Sequence, residues 1–215
     1  MSIVPVPRRR RARLAALLLT PALAIACAKP PPGSVPSHVA SAPAASAHER
    51  YSVYDLGATW RDQSGARRTL SSLAGRPQVV AMIYTSCTTS CPLTVAAMRR
   101  IAAAVPGAGL VLVTLDPARD GPARLAAYAR EHALDAARWT LLTASDDDVR
   151  DLAAALGVRY RRVSAAELAH SNTLTVLDAT GAVVDQQAGF GAADETIRAA
   201  RASLVGARPS ERGSR

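Results

Sequence analysis

Aromatic side chains are scarce in this chain: one Phe, two Trp and five Tyr among 215 residues. That scarcity bears on the formal charge of +9, because a basic surface that grips nucleic acid interleaves its cations with aromatic rings that stack on bases. No such interleaving is present. Lysine is nearly absent too, Lys29 being the only one, and the excess of Ala and Arg fits a bias in genome base composition better than a functional pattern. Arg8, Arg9, Arg10, Arg11 and Arg13 stand ahead of Cys27 with no acidic residue among them; taking those five from +9 leaves +4. The remaining arginines alternate with Asp and Glu along helical stretches, the pattern of a solvated, ion-paired surface. Nucleic acid is not an expected partner.

A hydrophobic run long enough to cross a membrane is also missing. Residues 14–26 are apolar but short, follow the arginines and end in small residues before Cys27, which are the three parts of an export signal. Leu23-Ala24-Ile25-Ala26-Cys27 resembles a bacterial lipobox, with Ala24 where Leu is usual. On that reading Cys27 is lipidated, and the protein is a lipoprotein anchored at the bacterial cell membrane, facing the periplasm. Ordinary cleavage nearby would make it soluble and periplasmic; an uncleaved anchor or a twin-arginine signal are further readings. Residues 28–50 are rich in Ala, Pro and Ser, with Pro30, Pro31, Pro32, Pro36 and Pro43, and read as a tether. Residues 206–215 read as a disordered polar tail. One folded domain is expected over residues 51–205.

Once Cys27 is set aside, the domain keeps two cysteines, Cys87 and Cys91. A pair four residues apart closes too small a loop to restrict the unfolded chain much, and an exported domain of this size needs no such staple. Chemistry explains the pair better than stability does.

The order of elements follows from punctuation and periodicity. Asp62-Gln63-Ser64-Gly65 is a turn between short β-forming stretches and predicts a hairpin. Residues 78–84, Gln-Val-Val-Ala-Met-Ile-Tyr, are too few for a helix and read as a buried central strand that leads straight to Cys87. Pro92 suits a first helical turn, and apolar residues at near-helical spacing continue to Pro106-Gly107. Residues 110–115 predict a second buried strand, 122–132 a helix, 139–142 a short strand and 146–156 a helix closed by Gly157. Residues 172–177 and 182–186 flank Asp178-Ala179-Thr180-Gly181 as a late hairpin, before a last helix over 194–204. Alternating strands and helices followed by a hairpin predict an α/β domain of thioredoxin-like fold, a mixed central sheet with flanking helices and an added N-terminal hairpin.

Cys87-Thr88-Thr89-Ser90-Cys91-Pro92 falls at a strand-to-helix junction. Unpaired N–H groups and the positive helix end favour negative charge there, so at least one thiol is expected to have a lowered pKa. Two close thiolates form a disulfide or hold a soft metal, and three residues between them leave room for an ion. Sulfur selects Cu(I), and an imidazole as third ligand suits Cu(I) and Cu(II). The competing view is an inert buried pair, against which the intervening Thr and Ser describe an exposed loop. Zinc is poorly served, because the four histidines show no finger-like spacing. His38 and His48 lie in the tether, His132 ends a helix, and His170 sits in a loop at the entrance to a strand, where solvation competes with ligation.

Three elements in order resemble the Sco/SenC family of copper-binding, thioredoxin-like proteins. They are Tyr84-Thr85-Ser86-Cys87-Thr88-Thr89-Ser90-Cys91-Pro92; Leu115-Asp116-Pro117-Ala118-Arg119-Asp120; and His170-Ser171 ahead of Asp178-Ala179-Thr180-Gly181. The resemblance implies that Cys87, Cys91 and His170 bind copper, and that the chain assists assembly of the dinuclear copper centre of cytochrome c oxidase. Two positions differ: Thr88 where the family often has Pro, and Ala169 where it often has Asp. The second removes a carboxylate that would orient His170. Asp116 and Arg119 read as loop-shaping or, alternatively, partner-docking residues, the Arg in a surface pair.

The expected function is therefore a metallochaperone whose partner is the copper-centre subunit of cytochrome c oxidase, with other periplasmic thiol-redox or copper proteins as further partners. It is not a conventional enzyme on this reading. The alternative is a thiol–disulfide oxidoreductase or redox sensor using Cys87 and Cys91 as a redox-active disulfide, for which His170 would be dispensable. A peroxidase built on Thr85-Ser86-Cys87 lacks an activating Arg beside the motif in sequence.

Overall fold

A computed structural model describes residues 51–206 except 190 and 192, all within one unit, Ser46–Arg215. The export signal, Cys27, the tether with His38 and His48, and residues 207–215 lie outside the described residues.

The chain enters through a 3-10 turn, Val53–Asp55, and then forms β1 (Trp60–Asp62) and β2 (Arg67–Arg68), the hairpin that the Asp62-to-Gly65 turn predicts. Asp62 builds that turn itself, accepting from the backbone N–H groups of Ser64 and Ala66 at 2.9 and 3.1 Å. A second 3-10 turn, Leu70–Leu73, leads to β3 (Gln78–Ile83), all six of whose residues are buried. The α1 helix (Ser90–Ala104) follows, then β4 (Gly109–Thr114), again buried throughout. Burial of every side chain in both strands means that both faces of the sheet centre are covered, which is why these strands read as unbroken apolar runs. Gly109 leaves room for the side-chain amide of Gln78, which would have to move if a Cβ stood there.

Next come α2 (Pro122–Glu131), β5 (Trp139–Thr143) and α3 (Asp146–Ala155). Ser145 caps α3 by accepting from the Asp148 N–H, and Gly157 closes it at a φ of 61°. Two short strands absent from the sequence reading follow, β6 (Tyr160–Arg162) and β7 (Leu168–His170), paired only with each other. The chain ends with β8 (Thr173–Leu177), β9 (Val183–Ala188) and α4 (Ala193–Gly206), so Gly206 belongs to the helix and not to the tail.

The main sheet has the order β2-β1-β5-β4-β3-β8-β9. The three central strands β5, β4 and β3 run parallel, and β1, β8 and the strands beyond them pair antiparallel. This is the expected mixed, thioredoxin-like sheet with flanking helices. The register fixes the site. Ile83 pairs with Thr114, so the loops after β3 and β4 leave the same edge of the sheet side by side. Ala81 pairs with Leu174 in the antiparallel β8, so the residues just before β8 arrive at that same edge. The cysteine loop, the Asp116–Asp120 loop and His170 therefore converge at the carboxyl ends of the parallel strands, where ligands bind in open α/β sheets.

Candidate metal centre

The cysteine loop is built by helix initiation. Thr89, the residue ahead of α1, makes no side-chain capping bond; the Cys87 sulfur takes that role, accepting from the Cys91 N–H at 3.3 Å. Ser90 Oγ lies 3.3 Å from the same sulfur. Burial disfavours a charged thiolate, but the Ser90 hydroxyl, the Cys91 thiol and the N–H groups of Cys91 and Thr89 outweigh it and lower the Cys87 pKa to about 6. Cys91 has the opposite fate. Burial, reinforced by the neighbouring Cys87 sulfur, pushes it up to about 12. The expectation of one activated thiol is met, and the structure shows which. Both cysteines are buried, however, at 7% and 0% exposure. Only Thr88 and Thr89 between them are fully exposed, so the polar spacer marked the surface of the loop and not the place of its sulfurs.

His170 is likewise not in a loop. It is the last residue of β7, paired across the hairpin with Tyr160. Its Nδ1 lies 3.1 Å from the Ser171 carbonyl, which can only accept, so that nitrogen carries the proton. The bare Nε2 points at Cys91 Sγ, 4.0 Å away. The Tyr84 ring meets the imidazole edge to face, with centroids 5.8 Å apart.

Cys87, Cys91 and His170 thus offer three ligand atoms within 4.8 Å of one another. A trigonal ion with sulfur at about 2.3 Å and imidazole nitrogen at about 2.0 Å would separate S from N by about 3.7 Å. The Cys91–His170 distance, 4.0 Å, is within a few tenths of an ångström of that, and no pair of the three atoms is more than 4.8 Å apart. The donor set, two sulfurs and one neutral imidazole, is that of a soft or borderline metal.

Two buried carboxylates hold this arrangement. Asp120 accepts from the Thr85 N–H at 2.9 Å, the Thr85 hydroxyl at 2.5 Å and the Thr114 hydroxyl at 2.6 Å, tying the start of the cysteine loop to the end of β4. Asp116 accepts from Arg119 at 2.7 Å and Arg162 at 2.8 Å. Asp116 is buried, so Arg119 forms no ordinary surface pair; it also donates to the Ala165 carbonyl in the turn of the β6–β7 hairpin. These contacts join the Asp116–Asp120 loop to the hairpin that bears His170. Arg124, distant in sequence, donates to Thr85 Oγ1 at 3.0 Å and pairs with Glu131, so an arginine does stand near the motif, engaged by Thr85 and Glu131. Sequence reasoning missed Arg124 and Arg162. Asp120 was visible only as the end of its motif. The His132 and Tyr128 rings meet tilted, with centroids 4.2 Å apart, and His132 is not among the three clustered side chains.

A protein of Stutzerimonas stutzeri named for copper binding is 29% identical over 131 residues, 57% of this chain and 63% of its own length. The chain thus spans just under two thirds of that relative. Arabidopsis thaliana ScoI with copper bound superposes with a TM-score of 0.60 at 18% identity, over 67% of this chain and 96% of that one. A SCO1/SenC family lipoprotein of Bacillus anthracis gives 0.63 at 22%, over 68% and 92%. BsSco, described as a member of the Sco family of cytochrome c oxidase assembly proteins with a disulfide switch, gives 0.61 at 21%, over 68% and 91%. These likenesses establish the fold. The model of the family described as SCO1/SenC matches residues 54–205, a span that takes in both cysteines and His170, and the chain belongs to that family.

Proposed function

We propose that the protein binds copper through Cys87, Cys91 and His170 and passes it to a partner, the copper-centre subunit of cytochrome c oxidase. The observation that carries this reading is the convergence of the three ligand atoms within 4.8 Å at a partly open edge. Family membership and the copper-bound ScoI neighbour support it. Cys87, already a thiolate at neutral pH, is the first ligand to meet the ion; Cys91 and the bare Nε2 of His170 close round it. Because His170 is half-exposed while Cys91 is fully buried, the imidazole is the ligand an acceptor displaces first. Among the described residues no helix is long and apolar enough to cross a membrane, and lipidation at Cys27 supplies the membrane anchor in this proposal.

The lowered Cys87 pKa favours a second reading, thiol–disulfide exchange with Cys87 attacking and Cys91 resolving. One experiment separates the two: anaerobic copper titration of the reduced protein beside His170→Ala and Cys91→Ser. A one-to-one complex with a thiolate-to-Cu(II) charge-transfer band, lost in both variants, supports copper binding. Failure of the wild type to retain copper, with disulfide reductase activity intact in His170→Ala, would overturn it.

A further inference from the structure

The outer face of the β6–β7 hairpin carries a feature that metal binding does not use. Paired residues in an antiparallel ladder put their side chains on the same face, and successive residues alternate. Arg161 pairs with Ala169. Arg159 is joined to Ser171 by two hydrogen bonds, Ser171 N–H to the Arg159 carbonyl at 2.9 Å and Arg159 N–H to the Ser171 hydroxyl at 3.0 Å. Arg159 and Arg161 therefore share one face with Ala169 and Ser171, whereas His170 and Tyr160 share the other. The two arginines, with Tyr160, Ala169, His170 and Ser171, line a shallow, open hollow of about 370 Å³. Both are exposed, and among the described residues neither is in an ion pair. The other arginines of this neighbourhood are already engaged, Arg162 and Arg119 by Asp116 and Arg150 by Asp147.

Two unpaired guanidinium groups stand on the same face of the hairpin as the small side chains of Ala169 and Ser171. The small side chain of Ala169 leaves the room, and the guanidinium forks supply donors suited to a planar carboxylate. We infer that this hollow is the seat for a carboxylate-bearing segment of a protein partner, an acidic stretch that docks against the hairpin. A carboxylate docked there lies on the face opposite the His170 imidazole, so it holds the partner against the hairpin that carries this ligand without touching the ligand itself. The inference deepens the copper-transfer reading by naming the chemistry of the acceptor's contact. Its test needs no metal, so its failure leaves that reading untouched.

The full chain in its reduced, metal-free state is titrated with a capped peptide of alternating Glu and Gly, and separately with sodium sulfate at equal charge. Amide chemical shifts are followed. Saturable shifts confined to residues 159–161 and 169–171 are expected with the peptide. The Arg159→Ala/Arg161→Ala double variant is expected to bind about tenfold more weakly, in line with the modest worth of exposed ion pairs. Ala169→Asp, which sets the chain's own carboxylate opposite Arg161, is expected to occupy the hollow and weaken peptide binding to a similar degree with the fold intact. Peptide affinity unchanged in both variants would overturn the inference. So would sulfate that binds as tightly as the peptide, since that marks a site for a free inorganic anion.

Discussion

Asp116 Oδ1 accepts a 2.8 Å hydrogen bond from Arg162, and this contact ties the end of β4 to the hairpin that carries His170. Arg119 holds the other carboxylate oxygen. Burial alone would raise the carboxyl pKa, but the two guanidinium groups outweigh it and hold it below the ordinary carboxylate range. Asp116→Asn keeps the shape and removes the charge. The expected result is faster amide exchange at Leu168, Ala169 and His170, with β3 and β4 unchanged. The loss of stability is expected near the lower end of about 1–3 kcal/mol, because both arginines are nearly half exposed and gain hydration when released. The sign in pH follows from a depressed carboxyl pKa: the contribution is present above the ordinary carboxylate pKa and is lost as pH falls below it. Wild type and variant should converge in acid. Unchanged hairpin exchange would rule out the positioning role.

Asp120 is the harsher deletion. Asp120→Ala strands the buried Thr85 N–H and the hydroxyls of Thr85 and Thr114 without their acceptor. Arg124 still reaches Thr85 Oγ1 but only as a donor, so it cannot replace the carboxylate. At about 1–3 kcal/mol for each buried group left unsatisfied, partly relieved by water, a loss of about 3–5 kcal/mol is expected. Urea denaturation measures it as a lowered midpoint with an unchanged slope. A loss below about 1 kcal/mol would mean that the network does not fix the cysteine loop.

Elements whose burial pattern repeats were readable from the chain, and those held by distant polar contacts were not. The runs in β3 and β4 announce themselves because all their side chains are buried. In β6 and β7 the patterns are short and mixed, with only Leu168 buried, and Ser164-Ala165-Ala166-Glu167 carries no Gly or Pro turn signal. The hairpin is held by contacts that no local window contains: Arg162 donates to Asp116 and Arg119 to the Ala165 carbonyl, each across 46 residues. His170 consequently looked like a loop residue. That Cys87, Cys91 and His170 come together was legible through the motifs, but the burial of the two sulfurs was not: the polar spacer between them is what shows at the surface.

Cys87 and Cys91 should separate cleanly in reactivity. Alkylation of the reduced, metal-free protein by iodoacetamide is expected at Cys87 first, with a rate that rises through a midpoint near its pKa of about 6. Cys91, pushed up to about 12, should stay unmodified well above neutral pH. Ser90→Ala removes a hydrogen bond to the Cys87 thiolate, so the midpoint should move upward, by more than Thr88→Ala moves it. Peptide mapping by mass spectrometry assigns the modified residue. Equal labelling of both cysteines at pH 7 would contradict the assignment.

Metal binding should carry a proton count set by the same asymmetry. At pH 7 the Cys87 sulfur is already deprotonated, its pKa being about 6, whereas Cys91 still holds its proton. An ion that takes both sulfurs must therefore displace about one proton, and that proton comes from Cys91. Near pH 5 Cys87 is protonated too, and the count from the sulfurs rises toward about two, so apparent affinity should fall more steeply with acid below pH 6 than above it. Calorimetry of Cu(I) binding in buffers of different ionisation enthalpy reads the count directly. A release near two protons at pH 7 would mean that Cys87 also holds its proton there, and would remove the division of labour between the two sulfurs.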